Sequence, residues 1–204
     1  MRILTWSIVL GTLPITLGAQ NPVQQTASGE TPLPEPQQIA SAVLPLPTEF
    51  RGDARVLGYR AGSKELVTLR DGTGAFICLA SDPTVSRFHV ACYHRSLEPF
   101  MARGRSLRAA GVKGDQVDSA RFAEIRTGKL AMPKQPAALY SLTGAAGSYD
   151  TTTRTAAGAR ALSVIYISGA TPASTGLSAK PVEGAPWIMF PGTPKAHIML
   201  VPKM

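Results

Sequence analysis

The side chains best suited to chemistry in this sequence are its two cysteines and three histidines. Thiolate and imidazole are preferred ligands of zinc and copper, so Cys78, Cys92 and His94 could hold a metal ion together with His197 from another strand. His89 would point to the opposite face of that strand from Cys92 and His94. Because the spacings of zinc-finger, blue-copper and haem-attachment motifs do not occur, we expect no metal and no cofactor.

The two cysteines are better placed for a disulfide than for a metal. Residues 75–80 and 88–94 have the pattern of two strands, and the polar segment 81–87 between them has turn chemistry. In a hairpin of this length, Cys78 faces Cys92 directly, with their Cβ atoms about 4.5–5.5 Å apart. A disulfide closing a loop of this size would contribute roughly 3 kcal/mol.

His94 and His197 are also the candidate residues for general acid–base catalysis. Glu98 follows His94 closely and could orient an imidazole as a carboxylate partner. No nucleophile motif accompanies them, and Glu98 also suits the first turn of a helix, where the helix dipole favours an anion. Catalysis by these three residues is therefore the alternative, and capping is the structural interpretation of Glu98.

Three arginines recur on one side of the same predicted helix. A guanidinium binds carboxylate, sulfate or phosphate in a bidentate manner, so a cluster of them predicts an anion site. The alternative is an ordinary solvated helix face. The candidate anion-binding residues are Arg103, Arg105 and Arg108.

The elements that must position these side chains begin with strands. Residues 55–60 and 65–70 form a predicted hairpin around the turn at 61–64. The glycine-rich turn at 71–74 then leads into the first cysteine strand. The order of these segments predicts a meander of about four strands.

Two helices are predicted in the middle of the chain. Apolar residues recur at helical spacing from Leu97 to Ala110, with Ser96 as the N-cap and Gly111 as the terminator. The second helix covers residues 116–127 with a weaker amphipathic pattern and stops at Gly128.

The second half returns to strands, at residues 138–142, 160–167, 187–190 and 196–201. The segment 160–167 is apolar on both faces, which indicates a central strand. Strands, then helices, then strands predict an α+β fold. We expect a mainly antiparallel sheet built from the N- and C-terminal strand groups, with two central helices packed on it.

The N-terminus has the plan of a cleavable signal peptide. Arg2 precedes an uncharged apolar run, and small residues close the segment at residue 20. Residues 21–36 are rich in Pro and Gln and predict a flexible linker. A single globular domain is expected over residues 37–204, opening with a short helix at 37–44, and no membrane-spanning segment is expected in the mature chain.

The expected export and the composition limit the classes of function that this protein could have. The chain of 204 residues has a net charge of +8, which outside the cytoplasm suits anionic partners. No nucleic-acid-binding module occurs, so we expect no nucleic acid. The sequence favours a periplasmic or extracellular binding or accessory module without catalytic activity, acting on another envelope or secreted protein or on an anionic ligand. The alternative is a small secreted enzyme or metal-binding protein using His94 and His197.

Overall fold

A computed structural model describes residues 31–181 and 184–202 of the chain. The predicted signal peptide and residues 21–30 of the predicted linker lie outside the described residues. The first described helix begins at Glu35, so the last two residues assigned to the linker belong to that helix. Within the described ranges, none of the helices combines the length and the apolar character needed to span a membrane.

Helices and strands alternate in groups along the chain. The helices are α1 (Glu35–Ala42), α2 (Thr48–Arg51), α3 (Glu98–Ala109), α4 (Asp115–Arg126) and α5 (Pro172–Thr175). The strands are β1 (Arg55–Tyr59), β2 (Leu66–Arg70), β3 (Phe76–Leu79), β4 (Arg87–His94), β5 (Ala137–Ala145), β6 (Tyr149–Asp150), β7 (Thr155–Ala156), β8 (Arg160–Tyr166), β9 (Trp187–Met189) and β10 (His197–Leu200).

Eight of the strands form one sheet in the order β2-β1-β3-β4-β5-β8-β10-β9, and β6 pairs with β7 in a small second sheet. All neighbours in the large sheet are antiparallel except β1 and β3. The structure therefore confirms the predicted α+β fold with a mainly antiparallel sheet. Strand β8, predicted to be central, lies between β5 and β10.

The predicted meander is wrong in one respect, because β1 lies between β2 and β3 and runs parallel to β3. The turn after β2 crosses the start of β1, where the Gly74 amide donates to the Asp53 carbonyl at 2.9 Å. A Cβ on Gly72 would lie 2.2 Å from that same carbonyl oxygen, so only glycine permits the crossing. β1 has buried central residues, whereas β2 is only half-buried and suits the sheet edge.

The sheet is covered on both faces. Directly paired residues of neighbouring strands point to the same face, so the pairing shows to which face each residue belongs. On the α1 face, Ala42 of α1 packs in one cluster with Val56, Phe76 and both cysteines. On the α3 face, the sheet residues pack against Leu97 and Met101; this cluster contains Leu57, Ile77, Tyr93 and Ala137.

Helix α3 begins at Glu98, one residue later than predicted. Residues Arg95–Leu97 form a 3-10 turn, and Ser96 donates its amide to the His94 side chain instead of capping the helix. Proline in the first turn suits a helix that starts at Glu98. The predicted terminators do follow the two helices, with φ of 86° at Gly111 and 74° at Gly128.

Candidate functional site

The two cysteines form the predicted disulfide. Cys78 of β3 and Cys92 of β4 are direct partners in the sheet, and their sulfur atoms are 2.07 Å apart. Both thiols are consumed, so a metal site with Cys78 and Cys92 as thiolate ligands is not available. Over residues 31–181 and 184–202, the structure brings together no group of three or more His, Cys, Asp or Glu side chains suited to a metal ion.

His94 and His197 are not brought together. His94 lies at the end of β4 on the α1 face, where its ring meets Phe76 edge-on at 5.9 Å. His197 lies on β10 opposite Tyr166, which belongs to the α3 face. Strands β5 and β8 separate them, a backbone distance of roughly 14 Å at the usual strand spacing. This fold does not form a site that uses both imidazoles.

Glu98 is held in a closed cluster with two neighbours. It accepts a hydrogen bond of 2.5 Å from the Tyr93 hydroxyl and one of 2.8 Å from Arg105. Arg105 also donates to the Tyr93 hydroxyl at 2.8 Å. Burial, followed by the hydrogen bond to Glu98, raises the pKa of Tyr93. The cluster fastens α3 to β4 and leaves no carboxylate oxygen of Glu98 without a partner.

The three candidate arginines separate into different environments. Arg103 makes a bidentate contact with Glu124 of α4, with its Nη2 at 2.6 Å from Oε1. Arg105 is held by Glu98, as described above. Arg108, one turn further along α3, instead lines a cavity on the α3 face. Only this arginine therefore remains a candidate for direct contact with a ligand.

That cavity, called the basic cavity below, has a volume of about 280 Å³. It lies between α3, the first half of α4 and the strands β8 and β10. Its charged residues are Arg108, Asp118, Arg121 and Lys195. Its rings are Phe100, Tyr166, Phe190 and His197.

Asp118 is the acid at the centre of the basic cavity. Its carboxylate accepts hydrogen bonds from Arg121 and from the ammonium group of Lys195. Burial alone would raise the pKa of Asp118, but the bonds from Lys195 and Arg121 outweigh burial and lower it. Asp118 is therefore ionised, and it joins α4 to the chain just before β10.

Arg121 is a buried cation, with 6% of its surface exposed. Its guanidinium stacks on the Phe100 ring at 3.7 Å and donates to the Phe100 carbonyl at 3.2 Å. Its buried Nε has no hydrogen-bond partner among the described residues. A nearly buried guanidinium with an unsatisfied donor is energetically costly, which makes Arg121 a position to test.

Gly104 of α3 makes room for two guanidinium groups. A Cβ at this position would lie 2.9 Å from Nη1 of Arg121 and 3.3 Å from Nη1 of Arg108. The guanidinium groups of the two arginines therefore both lie beside the Cα of Gly104. Arg121 is balanced by Asp118, whereas no ion pair within the described ranges includes Arg108.

The turn between β9 and β10 closes the other side of the cavity. Phe190 has a φ of 51°, a conformation that is strained for an aromatic residue. The Lys195 ammonium lies 3.5 Å from the centre of the Phe190 ring. The turn thus places one cation and one aromatic ring at the cavity with defined geometry.

His197 joins this turn to the α3 face. Its Nδ1 lies 2.7 Å from the Lys195 carbonyl, which can only accept, so Nδ1 carries the hydrogen and Nε2 is an acceptor when the ring is neutral. Burial, above all other causes, lowers the pKa of His197. Its ring lies 4.9 Å from that of Tyr166.

Sequence reasoning found Arg108 and His197 but missed Asp118, Arg121 and Lys195. One signal was present for Arg121, which lies four residues after Val117 and thus on the same helix face. A basic residue on the apolar face of a short helix is unusual and marks a position worth testing. Nothing local marked Asp118 or Lys195, which are 77 residues apart in the chain.

The basic cavity can accommodate a small ligand and present positive charge and aromatic surface to it. It combines three basic side chains with one carboxylate, and among the described residues that line it there is no Ser, Thr or Cys. Guanidinium and ammonium groups are suited to contact with an anion. No family model matches the chain, and neither the curated proteins nor the solved structures with which it was compared include a match.

Proposed function

We propose that this protein is an exported, non-catalytic binding module whose basic cavity takes a small anionic ligand. The observation that carries the proposal is the meeting of Arg108 and Arg121 across Gly104. Both side chains are positively charged, so an anion bound beside them would offset their repulsion. Asp118 supplies one such anion and is bonded to Arg121 and Lys195, which leaves Arg108 to bind the ligand.

The surrounding geometry supports recognition. Arg121 and Lys195 are each fixed by a carboxylate and by an aromatic ring, so the positive field is preorganised. Gly114, at the N-terminus of α4, also lines the cavity. The helix dipole adds to the positive potential there.

Several features support binding rather than catalysis. Asp118 is tied by two cations and is a poor base because its pKa is lowered. His197 donates its Nδ1 hydrogen to a backbone carbonyl, and among the described residues that line the cavity there is no Ser, Thr or Cys. Both cysteines are in the disulfide.

Export is the second part of the proposal. It rests on the signal-peptide pattern of residues 1–20 and is supported by the Cys78–Cys92 disulfide, since disulfides persist in oxidising compartments. The mass of the protein recovered outside the cytoplasm tests it: cleavage near residue 20 is expected. An intact N-terminus on a cytoplasmic protein would contradict export.

Isothermal titration calorimetry on the mature protein tests the binding site. Acetate, benzoate, sulfate and inorganic phosphate are suitable probes. We expect at least one to bind, and Arg108→Gln to weaken it about tenfold or more, since a charge-assisted hydrogen bond contributes roughly 1.5–3 kcal/mol. Arg126→Gln, an exposed arginine at the end of α4, is the matched control and should leave affinity unchanged. Equal losses in both variants would contradict the assignment.

A further inference from the structure

We infer that the ligand of the basic cavity is a monocarboxylate on a flat, single-ring apolar body, an aromatic acid of the size of benzoate. This inference rests on the proposed function and names its ligand class. Three observations lead to it: the number of available cationic groups, the character of the cavity walls and the cavity volume.

The available charge favours a single carboxylate. Lys195 and the Nη2 of Arg121 are bonded to Asp118, and the Nη1 of Arg121 is bonded to the Phe100 carbonyl. Arg108 is the one cation lining the cavity for which the described residues provide no acidic partner. One guanidinium matches one carboxylate in a two-pronged contact.

A phosphate dianion fits this arrangement poorly. It would need more free donors than Arg108 offers, and it would lie in the same small cavity as the ionised Asp118. Repulsion between these two anions would offset the attraction to the cations. The fixed acid therefore selects against highly charged ligands.

Apolar and aromatic side chains share the cavity lining with the charged groups, and Arg121 and Lys195 each lie over one of the rings. Phe100, Met101, Val117, Tyr166 and Phe190 all line the cavity. Burial raises the pKa of the Tyr166 hydroxyl; the charge of Arg121 opposes this shift and the charge of Asp118 adds to it. Such walls favour a flat ring through offset and edge-on contacts.

The volume limits the size of that ring system. A cavity of about 150 Å³ is sufficient for benzene, and the basic cavity has about 280 Å³. One ring with its carboxylate therefore fits.

Calorimetry on the mature protein with five probes tests the ligand class: benzoate, cyclohexanecarboxylate, acetate, benzyl alcohol and inorganic phosphate. We expect benzoate to bind about tenfold tighter than acetate, benzyl alcohol or phosphate. Cyclohexanecarboxylate should lie between benzoate and acetate, because it keeps the charge and the bulk but loses ring contacts. Arg108→Gln should weaken benzoate about tenfold, and Arg108→Lys should weaken it less.

Two phenylalanine variants separate ring contacts from general effects. Phe190→Ala should weaken benzoate and leave acetate unchanged. Phe50→Ala is the matched control, because the exposed fractions of the two side chains are similar, 40% for Phe50 and 42% for Phe190. Phe50 packs on Phe76 of the α1 face, on the other side of the sheet from the cavity. Circular dichroism and thermal melting establish that each variant is folded before affinities are compared.

The calorimetric results distinguish a failure of the ligand class from a failure of the proposed anion binding. Phosphate or acetate binding as tightly as benzoate, with the same dependence on Arg108, would overturn the aromatic acid and leave anion binding in place. Binding of benzyl alcohol as tight as that of benzoate would overturn the role of the carboxylate. No binding of any probe to the folded protein would overturn both proposals.

Discussion

Gly104 and Arg121 are in contact at the base of the cavity: a Cβ on Gly104 would lie 2.9 Å from Nη1 of Arg121. Arg121 cannot simply swing away, because its guanidinium is held by the Phe100 ring, the Phe100 carbonyl and Asp118. The absence of a side chain at position 104 is thus a requirement of the cavity rather than of the helix. Alanine would otherwise be preferred within α3 by roughly 1 kcal/mol.

Gly104→Ala is therefore expected to destabilise the protein despite the gain in helix propensity. The inserted methyl group displaces Arg121, and overpacking of this kind costs about 1–3 kcal/mol. We expect a net loss of about 1 kcal/mol in urea unfolding. Gly52→Ala is the control, since no atom lies within 4 Å of its Cβ position. Increased stability of Gly104→Ala would show that Arg121 is not fixed as described.

Reduction of the disulfide should lower stability substantially. Cys78 and Cys92 are separated by 14 positions, and opening a loop of this size costs about 3 kcal/mol in the chain-entropy description. Urea unfolding with and without reductant measures the difference. The double variant Cys78→Ala, Cys92→Ala should unfold at the same lowered urea concentration under both conditions. A midpoint of the wild-type protein that does not respond to reductant would contradict the prediction.

Asp118 should make stability depend on pH in the acid range. Its folded pKa lies below the ordinary value of 3.8, so its contribution is complete above that value. The contribution is lost as the pH falls from 3.8 through the folded pKa, because the unfolded chain takes up the proton first. Urea unfolding of the wild-type protein and Asp118→Asn at a series of pH values should show a shallower acid slope for the variant. Parallel slopes would contradict ion pairing by Asp118.

Buried His197 and half-buried His89 should make stability depend on pH at higher values. Burial is the main cause that lowers the pKa of both His89 and His197 below the ordinary value of 6.5. The unfolded chain therefore binds protons before the folded protein does, and stability should fall as the pH decreases below 6.5. Imidazole NMR titration should give midpoints below 6.5 for both rings. The variant His89→Gln, His197→Gln should lose this dependence, and midpoints at or above 6.5 would refute it.

Glu98→Gln should affect stability without affecting ligand binding. Glu98 is bonded to Tyr93 and Arg105 and does not line the basic cavity. Removing its charge leaves Arg105 without an acid, and we expect a loss of about 1–3 kcal/mol in urea unfolding. Affinity for benzoate should remain unchanged in the folded variant. A loss of affinity with unchanged stability would instead return Glu98 to the site residues.

Local patterns predicted the strands, the two central helices and the disulfide for identifiable reasons. Cys78 and Cys92 belong to one hairpin, so the length of the turn between them determines which residues face each other. The ends of α3 and α4 depend on Gly111 and Gly128, whose left-handed backbone is a property of that residue type. The start of α3 was less predictable, because the 3-10 turn before it competes with capping by Ser96.

The parallel pairing of β1 and β3 could not be predicted from the segments themselves. Consecutive strands usually form antiparallel neighbours, and a meander was the simplest arrangement. The crossing at Gly72 and Gly74 depends on contact with the backbone of Asp53, which lies on the other side of the hairpin. Such a contact is visible only when the strands are assembled.

The sequence by itself determined the α+β class, the register of the cysteine hairpin and the basic character of the chain, because these depend on residue types and short spacings. Tertiary structure alone decided that Arg103 and Arg105 are neutralised by acids, whereas no acid of residues 31–181 and 184–202 pairs with Arg108. It also separated His94 from His197 and brought Asp118 to Lys195. The physical reason is that the sheet order and the packing of α3 and α4 decide which distant charges meet, and charge pairing leaves no periodic pattern in a sequence.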